Sequence, residues 1–217
     1  MHRSKIAVLC DFDGTIVNID TAEYTLDRFA EGDWKALDEK LDKSEIPLEE
    51  CMGLQFEMVK TSRDEIVREL DRVTETRPGF EEMVTCCEKM NVPLTITSAG
   101  LDFYIEHFLK ARGLGSRIRV VAPSVTVTEK GVRFAFPPLL LPESIRFKDD
   151  MVRQTRELGW RVVYIGDGTT DYNAASIADL PFAVWGSKLA RKLRAGCIEH
   201  FEFLDFREIV ERIRAMR

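Results

Sequence analysis

Four short apolar runs recur along the chain at wide spacing, and each ends in small or polar residues. They cover residues 6–10, 93–97, 162–165 and 182–185. Their apolar residues are continuous and do not alternate with polar ones, which is typical of strands buried on both faces of a parallel sheet. Helical patterns lie between the runs, two of them closed by Gly113 and Gly159. This alternation predicts an α/β protein with a Rossmann-like three-layer α/β/α core and a mostly parallel sheet.

Residues 18–77 depart from this alternation because they contain no convincing strand. They are typical of three or four amphipathic helices, the last of which opens with a capping-box spacing from Ser62 to Glu65. We therefore expect a small α-helical bundle, inserted as a cap after the first strand. The predicted domains are a catalytic core of residues 1–17 and 78–217 and a cap of residues 18–77. The β-rich residues 119–137 predict a hairpin or two antiparallel edge strands.

The size and charge of the chain limit what it can bind. Its 217 residues suffice for one core with a small accessory unit. The net charge of −6 gives no general attraction to nucleic acid or to anionic lipid. No apolar run approaches the roughly 20 residues of a membrane-spanning helix. We expect a cytoplasmic protein, a monomer or a homodimer, that binds neither nucleic acid nor membranes.

Polar side chains, together with small residues that leave backbone amides accessible, follow three of the four apolar runs. These residues are Asp11, Asp13, Ser98, Ala99, Gly100, Asp167, Thr170 and Asp171. Since the carboxyl ends of parallel strands meet at one edge of a sheet, they would converge in one crevice. Four ionised aspartates there would sum to −4 and would require cations. Oxygen ligands favour Mg²⁺, and Lys148 precedes a helix that would start at the same edge.

Each motif on its own has an ordinary structural explanation. An Asp-x-Asp pair is common in turns and on surfaces, and Ser98 could cap a helix. The segment Gly166-Asp167-Gly168 could be a simple loop. Their joint occurrence, each after a predicted buried strand, favours a catalytic site over these explanations.

In order and spacing, four segments resemble the motifs of the haloacid dehalogenase superfamily, over nearly the whole chain. They are Asp11-Phe12-Asp13-Gly14-Thr15, Ser98-Ala99-Gly100, Lys148, and Gly166-Asp167-Gly168-Thr169-Thr170-Asp171. The resemblance implies that Asp11 is a nucleophile that forms an acylphosphate and that Asp13 is the acid and base. It implies phosphate binding by Ser98, Ala99, Gly100 and Lys148, and Mg²⁺ binding by Asp11, Asp13 and Asp167. It further implies that Thr170 and Asp171 support the metal and the lysine.

Asp13 separates the chain from two branches of that superfamily. The dehalogenases lack this second acid and the metal, and the transport ATPases carry a threonine at its position. The predicted cap resembles that of the phosphoserine phosphatase-like branch. Residues 29–37, together with the last motif, look especially like the methionine-salvage phosphatases that act on 2-hydroxy-3-keto-5-methylthiopentenyl-1-phosphate. A small phosphorylated metabolite is therefore the expected substrate.

Phosphoserine itself is disfavoured as the substrate. The phosphoserine phosphatases bind the substrate amine with a glutamate and its carboxylate with an arginine in the cap. At these places this sequence offers Asp20 and Gln55 as substrate contacts. A neutral amide cannot replace the bidentate, charged contact of a guanidinium. An anchor for an amino-acid carboxylate would have to come from a nearby arginine such as Arg63 or Arg68.

The predicted function is Mg²⁺-dependent hydrolysis of a small phosphomonoester through a phosphoaspartyl intermediate. Among enzymes, the alternative is a phosphotransferase or phosphomutase, which would pass the phosphoryl group to an acceptor. From another class, a non-catalytic module that senses acyl phosphate would also cluster aspartates with a lysine. The predicted cap argues against sensing, because a signalling aspartate must stay accessible to a donor protein.

Overall fold

A parallel β-sheet of six strands forms the centre of the molecule. The structure is a computed structural model, and it describes residues 5–43, 45–128 and 131–215. The sheet order is β3-β2-β1-β6-β7-β8, and a separate two-stranded sheet pairs β4 with β5. The strands are β1 (Ile6–Cys10), β2 (Leu94–Thr97), β3 (Arg119–Val121), β4 (Ser124–Thr128), β5 (Gly131–Ala135), β6 (Arg161–Gly166), β7 (Leu180–Val184) and β8 (Phe201–Phe203). Every neighbouring pair in the six-stranded sheet is parallel.

Helices lie within residues 18–77 and on both faces of this sheet. They are α1 (Thr21–Phe29), α2 (Lys35–Asp42), α3 (Leu48–Phe56), α4 (Arg63–Val73), α5 (Phe80–Lys89), α6 (Asp102–Ala111), α7 (Phe147–Glu157), α8 (Tyr172–Ile177), α9 (Lys188–Ala195) and α10 (Phe206–Ala215). On one face, Val8 packs in one apolar cluster with residues of α5, α6 and α10. On the other, Leu9 packs with residues of α7, α8 and α9. The predicted three-layer α/β/α core is confirmed.

The four predicted strands are present as β1, β2, β6 and β7, and they form the middle of the sheet. Their continuous burial explains the continuous apolar runs. The two outer strands, β3 and β8, have only three residues each. Strands this short leave little pattern: the sequence did not predict β8, and it placed β3 in the antiparallel pair within residues 119–137 and not in the main sheet. No helix among the described residues has the length and the apolar character needed to cross a membrane.

Four helices, α1 to α4, lie within the segment predicted as a cap. Two of them begin at residues whose side chains accept from the backbone of the first turn: Asp20 from Glu23 N and Ser62 from Glu65 N. The segments that enter and leave the bundle run side by side. Val17 and Thr76 form an antiparallel bridge there. This four-helix segment is thus joined to the sheet by a paired, two-stranded connection.

The β4–β5 hairpin packs against the helical bundle. The ring of Phe134 contacts that of Phe56 in α3, with centroids 4.8 Å apart. At the start of β5, the backbone approaches Glu57 so closely that a Cβ on Gly131 would lie 3.0 Å from its Cα. The hairpin predicted within residues 119–137 is therefore present, but its first three residues instead join the main sheet as β3. Glu129 and Lys130, which separate β4 from β5 in the sequence, lie outside the described residues.

Candidate active site

Asp11 lies at the carboxyl end of β1, between β2 and β6. Its backbone N–H donates to Ile165 O at 2.8 Å and extends the pairing with β6 by one residue. Its carboxylate accepts from Phe12 N at 2.8 Å and lies 2.9 Å from Lys148 Nζ. The residue is only 5% exposed. A backbone donor and a buried cation therefore hold its carboxylate in one orientation.

Lys148 is the second residue of α7, and the start of this helix is fixed by two acids. Asp149 accepts from the backbone N–H groups of Ile145 and Arg146. Asp150 accepts from two further N–H groups in the preceding loop. These contacts hold the loop against the helix and satisfy backbone donors that would otherwise lack partners. The position of the lysine is therefore set by the backbone around it.

The Lys148 ammonium bridges two carboxylates. Its Nζ lies 2.9 Å from Asp11 Oδ1 and 2.7 Å from Asp171 Oδ1, and the residue is 2% exposed. Burial alone would lower the pKa of Lys148, but the charges of Asp11 and Asp171 outweigh burial and raise it. The lysine is therefore positively charged at neutral pH.

Asp171 is saturated with hydrogen bonds. One carboxylate oxygen accepts from Lys148 Nζ and, at 2.8 Å, from Tyr164 Oη. The other accepts from the backbone N–H groups of Asp167 and Gly168, at 3.0 and 2.9 Å. Burial would raise the pKa of Asp171, but Lys148 and these donors outweigh burial and lower it. Asp171 thus fixes the lysine and the loop after β6.

The Asp13 carboxylate has a different environment from that of Asp11. It accepts from the backbone N–H of Thr21 at 2.9 Å and from the Thr21 hydroxyl, and its other oxygen accepts from Ser98 Oγ at 3.1 Å. All of these donors are neutral. Burial and the nearby charge of Asp20 raise the pKa of Asp13 to about 6. A carboxyl group in this environment holds a proton more readily than an exposed one.

A cluster of carboxylate oxygens lies beside the lysine. Asp11, Asp167 and Asp171 each offer one oxygen, and these atoms lie within 4.8 Å of one another. Asp167 also accepts from Thr15 Oγ1 at 2.9 Å. Burial and the charge of Asp171 raise the pKa of Asp167 to about 7. Because crowded, buried carboxylates resist ionisation, the cluster is suited to a hard divalent cation such as Mg²⁺.

Of the three residues predicted to bind metal, the structure brings Asp11 and Asp167 together. The Asp13 carboxylate faces Thr21 and Ser98 and is not one of the clustered groups. Asp171 is close enough to join the cluster, but both of its oxygens already accept hydrogen bonds. A cation would therefore be held mainly by Asp11 and Asp167.

Two glycines leave room for these carboxylates. Gly14 has a φ of +66°, and a Cβ there would overlap the carboxylate of Asp167. A Cβ on Gly100 would overlap the carboxylate of Asp13. Any side chain at either position would thus displace an acid that the sequence predicts to be functional.

The remaining predicted residues differ in how close they lie to this edge. Ser98 is fully buried and accepts from Gly100 N at 3.0 Å, and Ala99 between them is half-buried. Thr170 lies in the single helical turn Thr169–Asp171, next to the carboxylate that holds the lysine. Asp20 is exposed at the start of α1, where its charge acts on Asp13.

The contacts of Gln55 argue against the expectation that it binds substrate. The residue is 3% exposed in α3, and its amide nitrogen donates to Trp34 O at 3.2 Å and to Asp38 Oδ1 at 2.7 Å. Both amide hydrogens are therefore used inside the helical bundle. A buried amide is normally satisfied in this way, so Gln55 belongs to the interior of the helical bundle.

Sequence reasoning missed several side chains that support the site. Thr15 holds Asp167 and Thr21 holds Asp13, and both threonines are fully buried. Tyr164, which bonds Asp171, lies within a run that the sequence predicts only as a buried strand. Arg77 donates to two backbone carbonyls of the turn after Asp13. Two features of the sequence could have indicated these residues: the hydroxyl of Tyr164 lies inside an apolar strand, and Arg77 lies at the end of the predicted cap.

Comparisons with known proteins agree with this geometry. The sequence model of the haloacid dehalogenase-like hydrolases matches residues 8–176. A 2-hydroxy-3-keto-5-methylthiopentenyl-1-phosphate phosphatase of Bacillus pumilus is 30% identical over 185 residues, 82% of this chain and 79% of that protein. The bifunctional enzyme MtnB/MtnX of Bacillus licheniformis is 28% identical over 94% of this chain, which spans only 48% of that relative.

Among solved structures, a substrate-bound phosphoserine phosphatase superposes with a TM-score of 0.70 at 19% identity, over 97% of this chain and 99% of that one. This likeness concerns the fold. The expected resemblance to phosphatases of this superfamily with a phosphoserine phosphatase-like fold is confirmed, as is the assignment of the chain to the phosphoric monoester hydrolases. The family model alone covers well over half of the sequence, in the region that holds Asp11, Ser98, Lys148 and Asp171. The chain belongs to the haloacid dehalogenase-like hydrolase family.

Proposed function

We propose that this chain is a Mg²⁺-dependent phosphatase that hydrolyses a small phosphomonoester through a phosphoaspartyl intermediate on Asp11. The observation that carries the proposal is the contrast between two carboxylates only two residues apart. Asp11 lies against the Lys148 cation, whereas Asp13 lies among neutral donors, and burial raises the pKa of both carboxyl groups. The first environment suits a nucleophile and the second suits a proton carrier.

In the first step, a carboxylate oxygen of Asp11 attacks the phosphorus atom in line with the leaving oxygen. The bond from Asp11 to phosphorus forms while the bond from phosphorus to the leaving oxygen breaks. Asp13 donates its proton to that oxygen, so the product alcohol leaves neutral. Lys148 and the Ser98 hydroxyl stabilise the charge on the equatorial phosphoryl oxygens.

In the second step, a water molecule attacks the same phosphorus atom. Asp13, now ionised, takes a proton from this water, and the bond from phosphorus to Asp11 breaks. Inorganic phosphate leaves, and both aspartates return to their starting protonation states. When bound near Asp11 and Asp167, Mg²⁺ supplies positive charge that offsets the charge of the phosphoryl group.

For the substrate, we propose 2-hydroxy-3-keto-5-methylthiopentenyl-1-phosphate in preference to phosphoserine. Relatives named for this activity support the choice. The cap supports it as well, because Gln55 has both amide hydrogens bonded inside the bundle and cannot anchor a carboxylate. Arg63 and Arg68 are the two arginines named above as alternative anchors for a carboxylate. Arg68 is paired with Glu65 at the surface, and the guanidinium of Arg63 lies over the Phe103 ring.

A panel of phosphorylated metabolites tests the proposal. The panel includes the methylthiopentenyl phosphate and phosphoserine, assayed for free phosphate with Mg²⁺ and with EDTA. We expect release of phosphate with Mg²⁺, loss of release with EDTA, and a higher kcat/KM for the methylthiopentenyl ester. Equal turnover in EDTA would contradict the role of the metal. Phosphate found on an added alcohol or sugar instead of free in solution would identify a phosphotransferase.

The variant Asp13→Asn tests the proton carrier separately. An asparagine cannot protonate the leaving oxygen, so hydrolysis of an alkyl phosphate should fall by about 10²–10⁴-fold. An aryl phosphate with a good leaving group needs less protonation, so its first step should fall much less. Equal losses for the two kinds of ester would show that Asp13 does not act on the leaving group.

A further inference from the structure

Arg77 is placed where the chain returns from the cap to the sheet. Its backbone N–H donates to Ile16 O at 2.8 Å, as part of the paired connection between the two domains. Its guanidinium extends to the turn that follows Asp13. There Nε donates to Thr15 O and Nη2 donates to Gly14 O, each at 2.7 Å. One side chain thus joins the returning strand to the turn that carries the predicted acid.

The environment of this guanidinium is unusual for an arginine. It is half-buried, with its charge centre 5.9 Å from the centre of the Phe203 ring. Within residues 5–43, 45–128 and 131–215, no carboxylate forms an ion pair with it. Burial of a charge costs free energy unless hydrogen bonds or an opposite charge offset it, and here two backbone carbonyls and the nearby charge of Asp167 do so.

The turn that Arg77 holds determines the positions of two predicted functional acids. Gly14 has a left-handed backbone conformation and passes directly beneath the Asp167 carboxylate, leaving no space for a Cβ. Thr15, the next residue, bonds Asp167 through its hydroxyl. Asp13, the preceding residue, is bonded to Thr21 and Ser98. A shift of this turn would therefore move Asp13 and Asp167 together.

We infer that Arg77 is a positioning residue for the reaction proposed above, and that its two hydrogen bonds fix the Gly14–Thr15 turn. Arg77 does not touch the reacting atoms in this account. It links the backbone that leaves the cap to the backbone that orients the proton carrier. The kinetic part of this inference rests on the proposed function, whereas the effect on the turn does not.

Arg112 provides a matched control near the same connection. Its Nε donates to Thr76 Oγ1 at 3.2 Å, and its guanidinium stacks 3.6 Å from the centre of the Phe108 ring. Arg112 thus resembles Arg77 in lying against the returning segment at Thr76 and in its aromatic contact. Within the described residues, its guanidinium donates to Thr76 and to Phe108 O and not to the Gly14–Thr15 turn. Removal of Arg112 tests what the loss of any arginine at this boundary does.

The experiment compares Arg77→Ala and Arg112→Ala by steady-state kinetics on the best substrate of the panel. For Arg77→Ala we expect kcat to fall by about 10–100-fold, as for other residues that orient catalytic groups, with KM changed less than kcat. Millimolar guanidinium chloride, far below concentrations that unfold proteins, should restore part of this kcat. For Arg112→Ala we expect little loss of kcat and no effect of guanidinium.

Hydrogen exchange of the metal-free proteins supplies a readout that needs no activity. In Arg77→Ala, amides of residues 11–19 should exchange faster, since Gly14 N and Ile16 N are bonded within this segment. In Arg112→Ala they should not. If Arg77→Ala does not fold, Arg77→Lys keeps the charge but loses the two-pronged contact, and it should show smaller changes in the same direction.

The outcomes separate this inference from the proposed function. An inactive wild-type protein in which residues 11–19 still loosen in Arg77→Ala would overturn the proposed function and keep the role of Arg77 in the turn. An active wild-type protein whose Arg77→Ala variant keeps its kcat, or loses no more than Arg112→Ala, would overturn the inference. Loss of kcat without faster exchange in residues 11–19 and without guanidinium rescue would also overturn it.

Discussion

Replacement of Lys148 by methionine removes the only buried positive charge found between Asp11 and Asp171 in the described part of the chain. Methionine preserves much of the side-chain volume, so packing changes little. Asp171 keeps its contacts to Tyr164 and to two backbone N–H groups, while Asp11 keeps only Phe12 N among the contacts described above. The variant therefore leaves two buried carboxylates close together without their cation.

The expected cost follows from the burial of this group. Breaking a buried ion pair by removing one partner costs about 3–5 kcal/mol, because a charge is left uncompensated. For a chain of this size, each kcal/mol corresponds to about 2–4 °C in Tm. We therefore expect Lys148→Met to lower Tm by about 6–20 °C at pH 8. Burial acts to raise the pKa of Asp171, and the charge of Lys148 is the largest effect that lowers it. Without this charge, the carboxylates of the variant should protonate more easily.

Because of this protonation, the loss of stability caused by Lys148→Met should depend on pH. Burial already raises the pKa of Asp11 in the wild-type protein, and loss of Lys148 should raise it further and also raise the pKa of Asp171, so the variant should lose stability relative to wild type as pH increases. The deficit relative to wild type should be small at pH 5 and largest at pH 8. Urea unfolding at pH 5, 6.5 and 8 in EDTA measures it. A deficit below about 1 kcal/mol, or one that does not change with pH, would refute the reasoning.

Lys35→Met serves as the control for this experiment. Lys35 pairs with Asp27 at 3.1 Å, but their side chains are 66% and 50% exposed. Exposed pairs of this kind contribute about 0–1 kcal/mol, because solvent screens them. We expect a small deficit for Lys35→Met with little dependence on pH.

Two further predictions concern the acids and the metal. Gly100→Ala should fold but lose most activity, because its Cβ would overlap the Asp13 carboxylate, and circular dichroism with kinetics checks both parts. Normal kcat in this variant would contradict the close packing at Gly100. Since burial raises the pKa of Asp167 to about 7, this group is ionised above pH 7, so Mg²⁺ should increase Tm more at pH 8 than at pH 5. Equal increases, measured by differential scanning fluorimetry, would argue against Asp167 as a ligand.

The centre of the fold was predictable because its strands are buried on both faces. Continuous apolar burial in β1 and β6 leaves a pattern that the sequence carries directly. The same holds for the acids at their ends, since the order of the motifs places Asp11 and Asp167 at one edge. The three-residue strands β3 and β8 were not predictable, because pairing with a neighbour and not side-chain pattern defines them.

The contacts that orient the site were less accessible from sequence. The Asp13 carboxylate faces Thr21 because of the turn that follows it. That turn has a left-handed residue, Gly14, and accepts a hydrogen bond from Arg77, which lies far along the chain. Gln55 shows the same limit in the cap. Its position in the sequence indicated a contact with the substrate, but α2 packs against α3 and gives the Gln55 amide two partners inside the bundle.

The most direct test of the proposed mechanism is to trap the phosphoryl group on the enzyme. Acid quenching of the wild-type protein during turnover, followed by mass spectrometry of peptides, should show a transient phosphoryl group on Asp11. Asp11→Asn should show neither this group nor turnover. Turnover without any phosphorylated enzyme, or a phosphoryl group on a residue other than Asp11, would contradict the account.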